Sequence, residues 1–237
     1  MDVANPKLWS VDSPNLYWVR TEIIQNGKVV DSTDSRFGIR YIATDPNSGF
    51  YLNGVHTKLN GVCEHSDLGS LGMETYQAAV DRRIRTLKKY GVNAIRTSHN
   101  PVSPEFIEAC DRLGMLVFEE AFDQWLYSKN SDDYHNYFNK AADGKTVVFD
   151  KAGNDNTNND TSYIEVKRDD LQSNAERDIK AMVERDKNAP CIFAWSTGNE
   201  IYDARYKHGE NTLDMLTGWI KEIDTTRPCL LYTSDAA

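Results

Sequence analysis

The chain has 237 residues, enough for one large domain and part of another, with 40% hydrophobic residues and a formal net charge of −9. No apolar run approaches the ~18 residues of a membrane-spanning helix, and no Lys/Arg-rich block is present, which argues against nucleic acid and anionic membrane as partners. A neutral substrate such as a sugar fits this charge. The four cysteines, Cys63, Cys110, Cys191 and Cys229, form no Cys-x-x-Cys pair, and three lie in or beside apolar runs, so they read as buried free thiols. The first residues carry no charged segment followed by an apolar one, so no signal peptide is visible and localisation stays unassigned.

Residues Leu8 to about Tyr41 read as strands. Leu16 to Ile24 is aromatic and β-branched, and Asn26-Gly27 leads into Lys28-Val29-Val30 as a hairpin turn does. Arg36-Phe37-Gly38-Ile39-Arg40 reads as a further short strand. So few hairpin strands cannot bury a core, and residues 1–43 are expected to be the C-terminal part of a β-sandwich. A second Asn-Gly, Asn53-Gly54, separates Phe50-Tyr51-Leu52 from Val55 to Leu59 and predicts another hairpin.

From there strand and helix alternate. A strand over Lys58 to Cys63 precedes a helix whose apolar positions are Met73, Tyr76, Val80, Ile84 and Leu87, closed by Gly91. Val92 to Thr97 is the next strand; Ser103 and Pro104 open a helix that uses Phe106, Ile107, Cys110 and Leu113 and stops at Gly114. Met115 to Ala121 is a strand. Residues 126–162 are polar and Asn/Asp-rich, a loop of unassigned role. A helix on Leu171, Ala175, Ile179, Met182 and Val183 follows, then the strand Cys191 to Trp195, a helix from Thr212 to Asp224 and a strand from Cys229. Repeated strand–helix units predict a parallel sheet with right-handed crossovers. No phosphate-binding glycine motif follows any strand. The expected architecture for 44–237 is therefore a partial eight-stranded α/β barrel, strands one to about five.

In such a barrel the chemistry collects at the carboxyl ends of the strands. Those ends are Glu64-His65-Ser66-Asp67, Arg96-Thr97-Ser98-His99-Asn100, Glu119 to Trp125, and Gly198-Asn199-Glu200. A single His65 or His99 is more often a structural histidine, and Trp125 alone is more often packing. Glu119 and Glu120 alternate across their strand, so only one of them need face the site. Polar groups with two aromatics gathered at four successive ends favour a site. Metal-assisted hydrolysis lacks a His-x-His or His-Glu-x-x-His spacing, with only five histidines in the chain. Glycoside hydrolysis by a carboxylate pair suits the rim better.

Asp186-Lys187-Asn188-x-Pro190, followed by Trp195-Ser196-x-Gly198-Asn199-Glu200, resembles the acid/base signature of glycoside hydrolase family 2. Asn93-Ala94-x-Arg96-Thr97-Ser98-His99-x-Pro101 resembles its second-strand motif. Cys63-x-His65-x-Asp67 and Glu120-Ala121-Phe122-Asp123-x-Trp125 are similar to its β-galactosidase-like bacterial members. Leu8-Trp9-Ser10, Pro14-x-Leu16-Tyr17 and Phe37-Gly38-Ile39-Arg40 resemble the end of the immunoglobulin-like sandwich that precedes the barrel there.

The resemblance implies a retaining hydrolase of terminal β-D-galactosides with Glu200 as general acid/base. It implies Asn199 and His99 as substrate contacts, and His65, Glu120, Asp123 and Trp125 lining the subsite. A second carboxylate, the nucleophile, is expected ~5–5.5 Å from Glu200, and a raised Glu200 pKa is expected from burial and that neighbour. Family members carry the nucleophile on the seventh strand, so this chain reads as a truncated piece that is inactive alone. β-Glucuronidase, β-mannosidase and a non-catalytic carbohydrate-binding barrel are the alternatives. No cofactor or metal ligand set is evident; cation dependence and any oligomer of a longer chain stay open.

Overall fold

The computed structural model describes residues 3–125, 147–150, 163–166, 174–205 and 207–232. The chain divides into two compact units. The first comprises Met1–Thr97, Val102–Phe118 and Asp186–Phe193, and the second Ser98–Pro101, Glu119–Arg185 and Ala194–Ala237.

In the first unit, β1 (Tyr17–Gln25) and β2 (Lys28–Phe37) form an antiparallel hairpin with a register shift between Ile23 and Ile24. Asn26 and Gly27 turn it with φ of 52° and 75°, the pair of left-handed residues that a two-residue hairpin loop needs. The strand expected over Arg36 to Arg40 ends at Phe37, and the residues after it anchor instead of pairing. The Arg36 guanidinium lies 3.0 Å from Asp111 Oδ2. Arg40 donates to the carbonyls of Pro190 and Ile192. Gly38 leaves room for this approach, since a Cβ there would sit 2.5 Å from Pro190 Cγ. Trp9, fully buried, donates from Nε1 to the Asp111 carbonyl at 2.8 Å. The three-stranded sheet β3 (Ile42–Asp45), β4 (Gly49–Leu52), β5 (Val55–His56) follows, turning at Asn53-Gly54 as predicted. The short β3, stopped by Pro46, gave no sequence signal.

The repeating part consists of β6 (Gly61–His65), α1 (Gln77–Lys89), β7 (Ala94–Ser98), α2 (Pro104–Leu113) and β8 (Leu116–Glu120). An antiparallel pair, β9 (Val147–Asp150) and β10 (Tyr163–Val166), comes next. Then come α3 (Asn174–Asp186), β11 (Ile192–Asn199), α4 (Lys207–Ile223) and β12 (Cys229–Tyr232). Apart from β9, the polar loop expected over 126–162 lies outside the described residues, as does Leu171.

Five strands form one sheet in the order β12-β11-β8-β7-β6, parallel where β7 meets β8 and β11 meets β12. Leaving aside the β9–β10 pair, each strand's neighbour is the next in the chain. A barrel grows this way, whereas a doubly wound sheet reverses at a switch point.

The ends of the helices follow from capping chemistry. At α1, Gly91 N–H bonds Lys88 O and Val92 N–H bonds Leu87 O, a Schellman closure with Gly91 at φ 83°. Met73 and Tyr76, expected on the face of α1, precede its start and are exposed, while Val80 and Ile84 are buried. At α2, Ser103 Oγ accepts from Phe106 N–H at 3.3 Å, Pro104 takes the first position, and Gly114 closes the helix in the left-handed region. α3 buries Ala175, Ile179, Met182 and Val183. β11 runs past Trp195 to Asn199, with every residue except Phe193 buried.

Cys110 and Cys191 are buried as expected and Cys229 is half-buried. Cys63 is exposed, because β6 is the edge of the five-stranded sheet among the described residues.

Candidate active site

The carboxyl ends of β7, β8 and β11 fall in the second unit. Glu119 and Glu120 are both fully buried but take different partners, as the alternation along β8 requires. Glu119 Oε1 lies 3.3 Å from Arg185 Nη2 of α3. Glu120 Oε1 lies 2.9 Å from His99 Nδ1, and Glu120 Oε2 accepts from Ser196 Oγ at 2.7 Å. A buried carboxylate is costly unless it is hydrogen-bonded, and here both oxygens are engaged.

Beyond Glu120 the loop turns back onto β11. Ala121 N–H donates to Ser196 O, and Asn199 N–H donates to Phe122 O at 3.1 Å. Asn199, buried, donates from Nδ2 to Asp123 Oδ1 at 2.8 Å. Asp123 is exposed. Trp125 is fully buried and donates from Nε1 to Thr197 O at 2.9 Å, so its ring packs behind β11 and presents no open face. Gly198 makes this packing possible: a Cβ there would lie 2.6 Å from Ile201 Cδ1 and 2.8 Å from Trp125 Nε1.

Glu200 directly follows β11 with φ 46°. A left-handed backbone is uncommon for a glutamate, and such outliers concentrate at functional sites. The side chain is exposed rather than buried. The burial expected of it is therefore not seen in this chain.

His65 belongs to the first unit, exposed at the end of β6. Its loop is held by Arg83 of α1, which donates to the carbonyls of His65 and Asp67 at 3.4 Å and 2.5 Å. Arg83 also pairs with Glu64 at 2.9 Å. Among the described residues no three His, Cys, Asp or Glu side chains cluster in a way that could hold a metal ion.

Of the expected residues, the structure thus joins His99 to Glu120 and Asn199 to Asp123, and sets Trp125 beneath β11. Ser196, Arg185 and Arg83 were not singled out from the sequence. Ser196 entered the sequence analysis only as a member of the acid/base motif, and nothing in the sequence marks the other two.

With this geometry in place, comparison with known proteins decides the family. Residues 44–237 match the model of the TIM barrel domain of glycosyl hydrolases family 2, and residues 1–40 match a second glycosyl hydrolases family 2 model. The chain belongs to glycosyl hydrolases family 2.

The five parallel strands are accordingly part of a TIM barrel. Relatives include a beta-galactosidase, BoGH2A, of Bacteroides ovatus, 37% identical over 86% of this chain and 20% of its own length. A putative beta-glucuronidase of Formosa agariphila is 36% identical over 100% of this chain and 19% of its own length. A solved structure of a family 2 member from Bacteroides cellulosilyticus superposes with a TM-score of 0.79 at 38% identity, over 99% of this chain and 26% of that one. The chain spans about a fifth of the length of these curated relatives.

Proposed function

We propose that this chain forms part of a retaining glycoside hydrolase acting on terminal β-D-galactosyl residues of β-galactosides, with Glu200 as the general acid/base. The observation that carries the reading is Asn199-Glu200 at the carboxyl end of β11, in a sheet wound in chain order, beside the His99–Glu120 and Asn199–Asp123 pairs. The family supports hydrolysis of a glycosidic bond; the bacterial beta-galactosidase among its relatives and the Phe122-Asp123-x-Trp125 turn favour the galactoside. In this reading residues 1–43 close a sandwich and 44–237 begin the barrel.

In the proposed mechanism Glu200 protonates the glycosidic oxygen, then deprotonates the water that releases the sugar from a second carboxylate. Asn199, held by Asp123, takes the 2-hydroxyl, and His99 contacts a further hydroxyl. Glu120 and Trp125 shape the site from beneath. The nucleophile is expected on a later strand than β12, so the 237-residue chain by itself should not turn over substrate.

The test uses aryl β-galactoside, β-glucuronide and β-mannoside with a protein that carries this chain within a complete barrel. The reading predicts the highest kcat/KM for the galactoside. A preference for the glucuronide would replace the substrate and keep the chemistry. Hydrolysis by the 237-residue chain alone, abolished by Glu200→Gln, would overturn the placement of the nucleophile beyond β12 and the expected inactivity of the chain by itself.

A further inference from the structure

The dipeptide Asn-Gly stands at Asn26-Gly27, Asn53-Gly54 and Asn60-Gly61, all in the first unit. The first two are a matched pair. Each is the two-residue loop of a hairpin, with Gln25 paired to Lys28 around one and Leu52 paired to Val55 around the other. Their backbones nearly coincide: φ is 52° and 75° at Asn26-Gly27, and 53° and 79° at Asn53-Gly54. A Cβ added to Gly27 or to Gly54 would meet nothing within 4 Å. The asparagine side chain separates them. Asn53 Oδ1 accepts from Tyr41 N–H at 3.1 Å, and Asn53 Nδ2 donates to Trp9 O at 2.9 Å. Asn26 is exposed, and its carboxamide has no hydrogen-bond partner among the described residues. The third dipeptide is held through its main chain. Asn60 N–H donates to Asn93 Oδ1 at 2.8 Å, and Asn60 O accepts from Asn93 N–H at 3.0 Å.

An untethered asparagine followed by glycine can react with its own backbone. The glycine nitrogen attacks the asparagine Cγ and the new C–N bond closes a five-membered imide. The Cγ–Nδ2 bond breaks, and the amide leaves as ammonia with the proton that the glycine nitrogen gives up. Water then opens the imide at either carbonyl and leaves aspartate or its β-linked isomer, isoaspartate. Water is the one co-reactant, and nothing is oxidised. Glycine suits the step because no Cβ crowds the attacking nitrogen and its backbone rotates freely. The turn must open far enough for that nitrogen to reach Cγ. At Asn26 the opening disturbs little: every residue from Arg20 to Ser35 is exposed, and a two-stranded hairpin is marginal in water. At Asn53 it must first break both side-chain hydrogen bonds, one of them to the buried Trp9.

We propose that Asn26 is a modification site, where the chain converts its own asparagine to aspartate and isoaspartate, and that the fold shields Asn53 and Asn60 from the same reaction. Aspartate at position 26 adds a negative charge and keeps the turn, because a short polar side chain tolerates the left-handed region. Isoaspartate routes the main chain through Cβ and lengthens a loop whose two residues set the register of β1 on β2. The pairs nearest the tip, Gln25 with Lys28 and Ile24 with Val29, are then lost.

The test is peptide mapping of the folded 237-residue chain at mildly alkaline pH, beside the same chain unfolded in guanidinium chloride. Trypsin, cutting after Arg20, Lys28, Arg40, Lys58 and Arg82, puts the three asparagines on three peptides, and mass spectrometry follows amide turning to acid on each. Each folded-state rate is divided by the rate at the same asparagine in denaturant, which removes the effect of neighbouring sequence. Asn26 should then react at least about tenfold faster than Asn53, the factor that two ordinary hydrogen bonds supply together. Asn60 should also react more slowly than Asn26. A ratio of Asn26 to Asn53 below tenfold, or an Asn60 faster than Asn26, overturns the proposal. The measurement needs neither a substitution nor turnover, so its outcome is separate from that of the glycosidase assays.

Discussion

Two buried carboxylates, Asp111 in the first unit and Glu120 in the second, look alike on burial alone: 1% and 0% exposed, each with a polar partner on both oxygens. Their partners separate them. Asp111 binds the Arg36 guanidinium and the backbone N–H of Cys191, and its own carbonyl takes Trp9 Nε1. Every one of those groups is held by the fold. Glu120 binds a hydroxyl and an imidazole, groups that can move a proton or change tautomer, and the imidazole is part-exposed. Burial of a carboxylate therefore does not by itself mark a functional site; in the proposed function it is the part-exposed imidazole beside Glu120 that does.

Substitution should break this pair apart. Asp111→Ala strips the Cys191 N–H of its acceptor and the part-exposed Arg36, which keeps Glu108 at 3.7 Å, of its nearer carboxylate, and losing hydrogen bonds to a buried charged group costs about 1.5–3 kcal/mol. Urea denaturation should show that loss. Glu120→Gln keeps the shape and stays within reach of Ser196 and His99, so its stability loss should be nearer ~1 kcal/mol. Equal losses in the two variants would erase the distinction.

Gly198→Ala probes the packing beneath the site. Its Cβ would fall 2.8 Å from Trp125 Nε1 and 2.6 Å from Ile201 Cδ1. Forced overpacking of this kind costs typically 1–3 kcal/mol. A lowered denaturation midpoint together with altered Trp125 fluorescence is expected; an unchanged midpoint would mean the indole has room.

A third acid extends the comparison to pH. Asp224 takes hydrogen bonds from Trp195 Nε1 at 2.8 Å and Arg227 Nη1 at 2.6 Å. Desolvation alone would raise its pKa, but the donors Thr226, Arg227 and Trp195 outweigh it and hold the carboxyl well below the ordinary 3.8. Its stabilisation is therefore present above 3.8 and lost as pH falls through the lower folded value. At Asp111 burial wins over Cys191 and Arg36, and the carboxyl is pushed up. There the folded state holds its proton more tightly than the unfolded one, so that contribution declines as pH rises from 3.8 through the folded value. Asp224→Asn should flatten the acid limb of a stability–pH curve, and Asp111→Asn should remove the opposite slope just above it. Identical curves for the two variants would contradict the assignment of partners.

Much of this was legible in the chain. Ser103-Pro104, Gly91 and Gly114 punctuate the helices locally, so the strand–helix alternation and the strand ends could be read directly. The two Asn-Gly turns gave the hairpins. Glu120 and Asn199 end strands, His99 and Asp123 follow strand ends closely, and all four could be named because they also fall in motifs that resemble the family's. What could not be read depends on register between distant segments. Ser196 meets Glu120 across 76 residues and Arg185 meets Glu119 across 66. Nearly every residue of β11 is buried, so the strand shows no inside–outside alternation from which to infer which residues face which neighbours. Asp111 sits in an amphipathic helix among apolar positions, and only the folded Arg36 and Cys191 reveal its role. Trp125 was legible as an aromatic at the rim; that it lies fully beneath β11 follows from the space Gly198 leaves.

The central claim is that Glu200 donates the proton to the leaving group. In a protein carrying this chain within a complete barrel, Glu200→Gln should be assayed against aryl β-galactosides of increasing leaving-group pKa. The account predicts a loss of about 10²–10⁴-fold for poor leaving groups, the usual weight of general acid catalysis, shrinking steeply as the leaving group becomes acidic enough to depart unaided. A loss that is the same for every leaving group, or no loss at all, would contradict it.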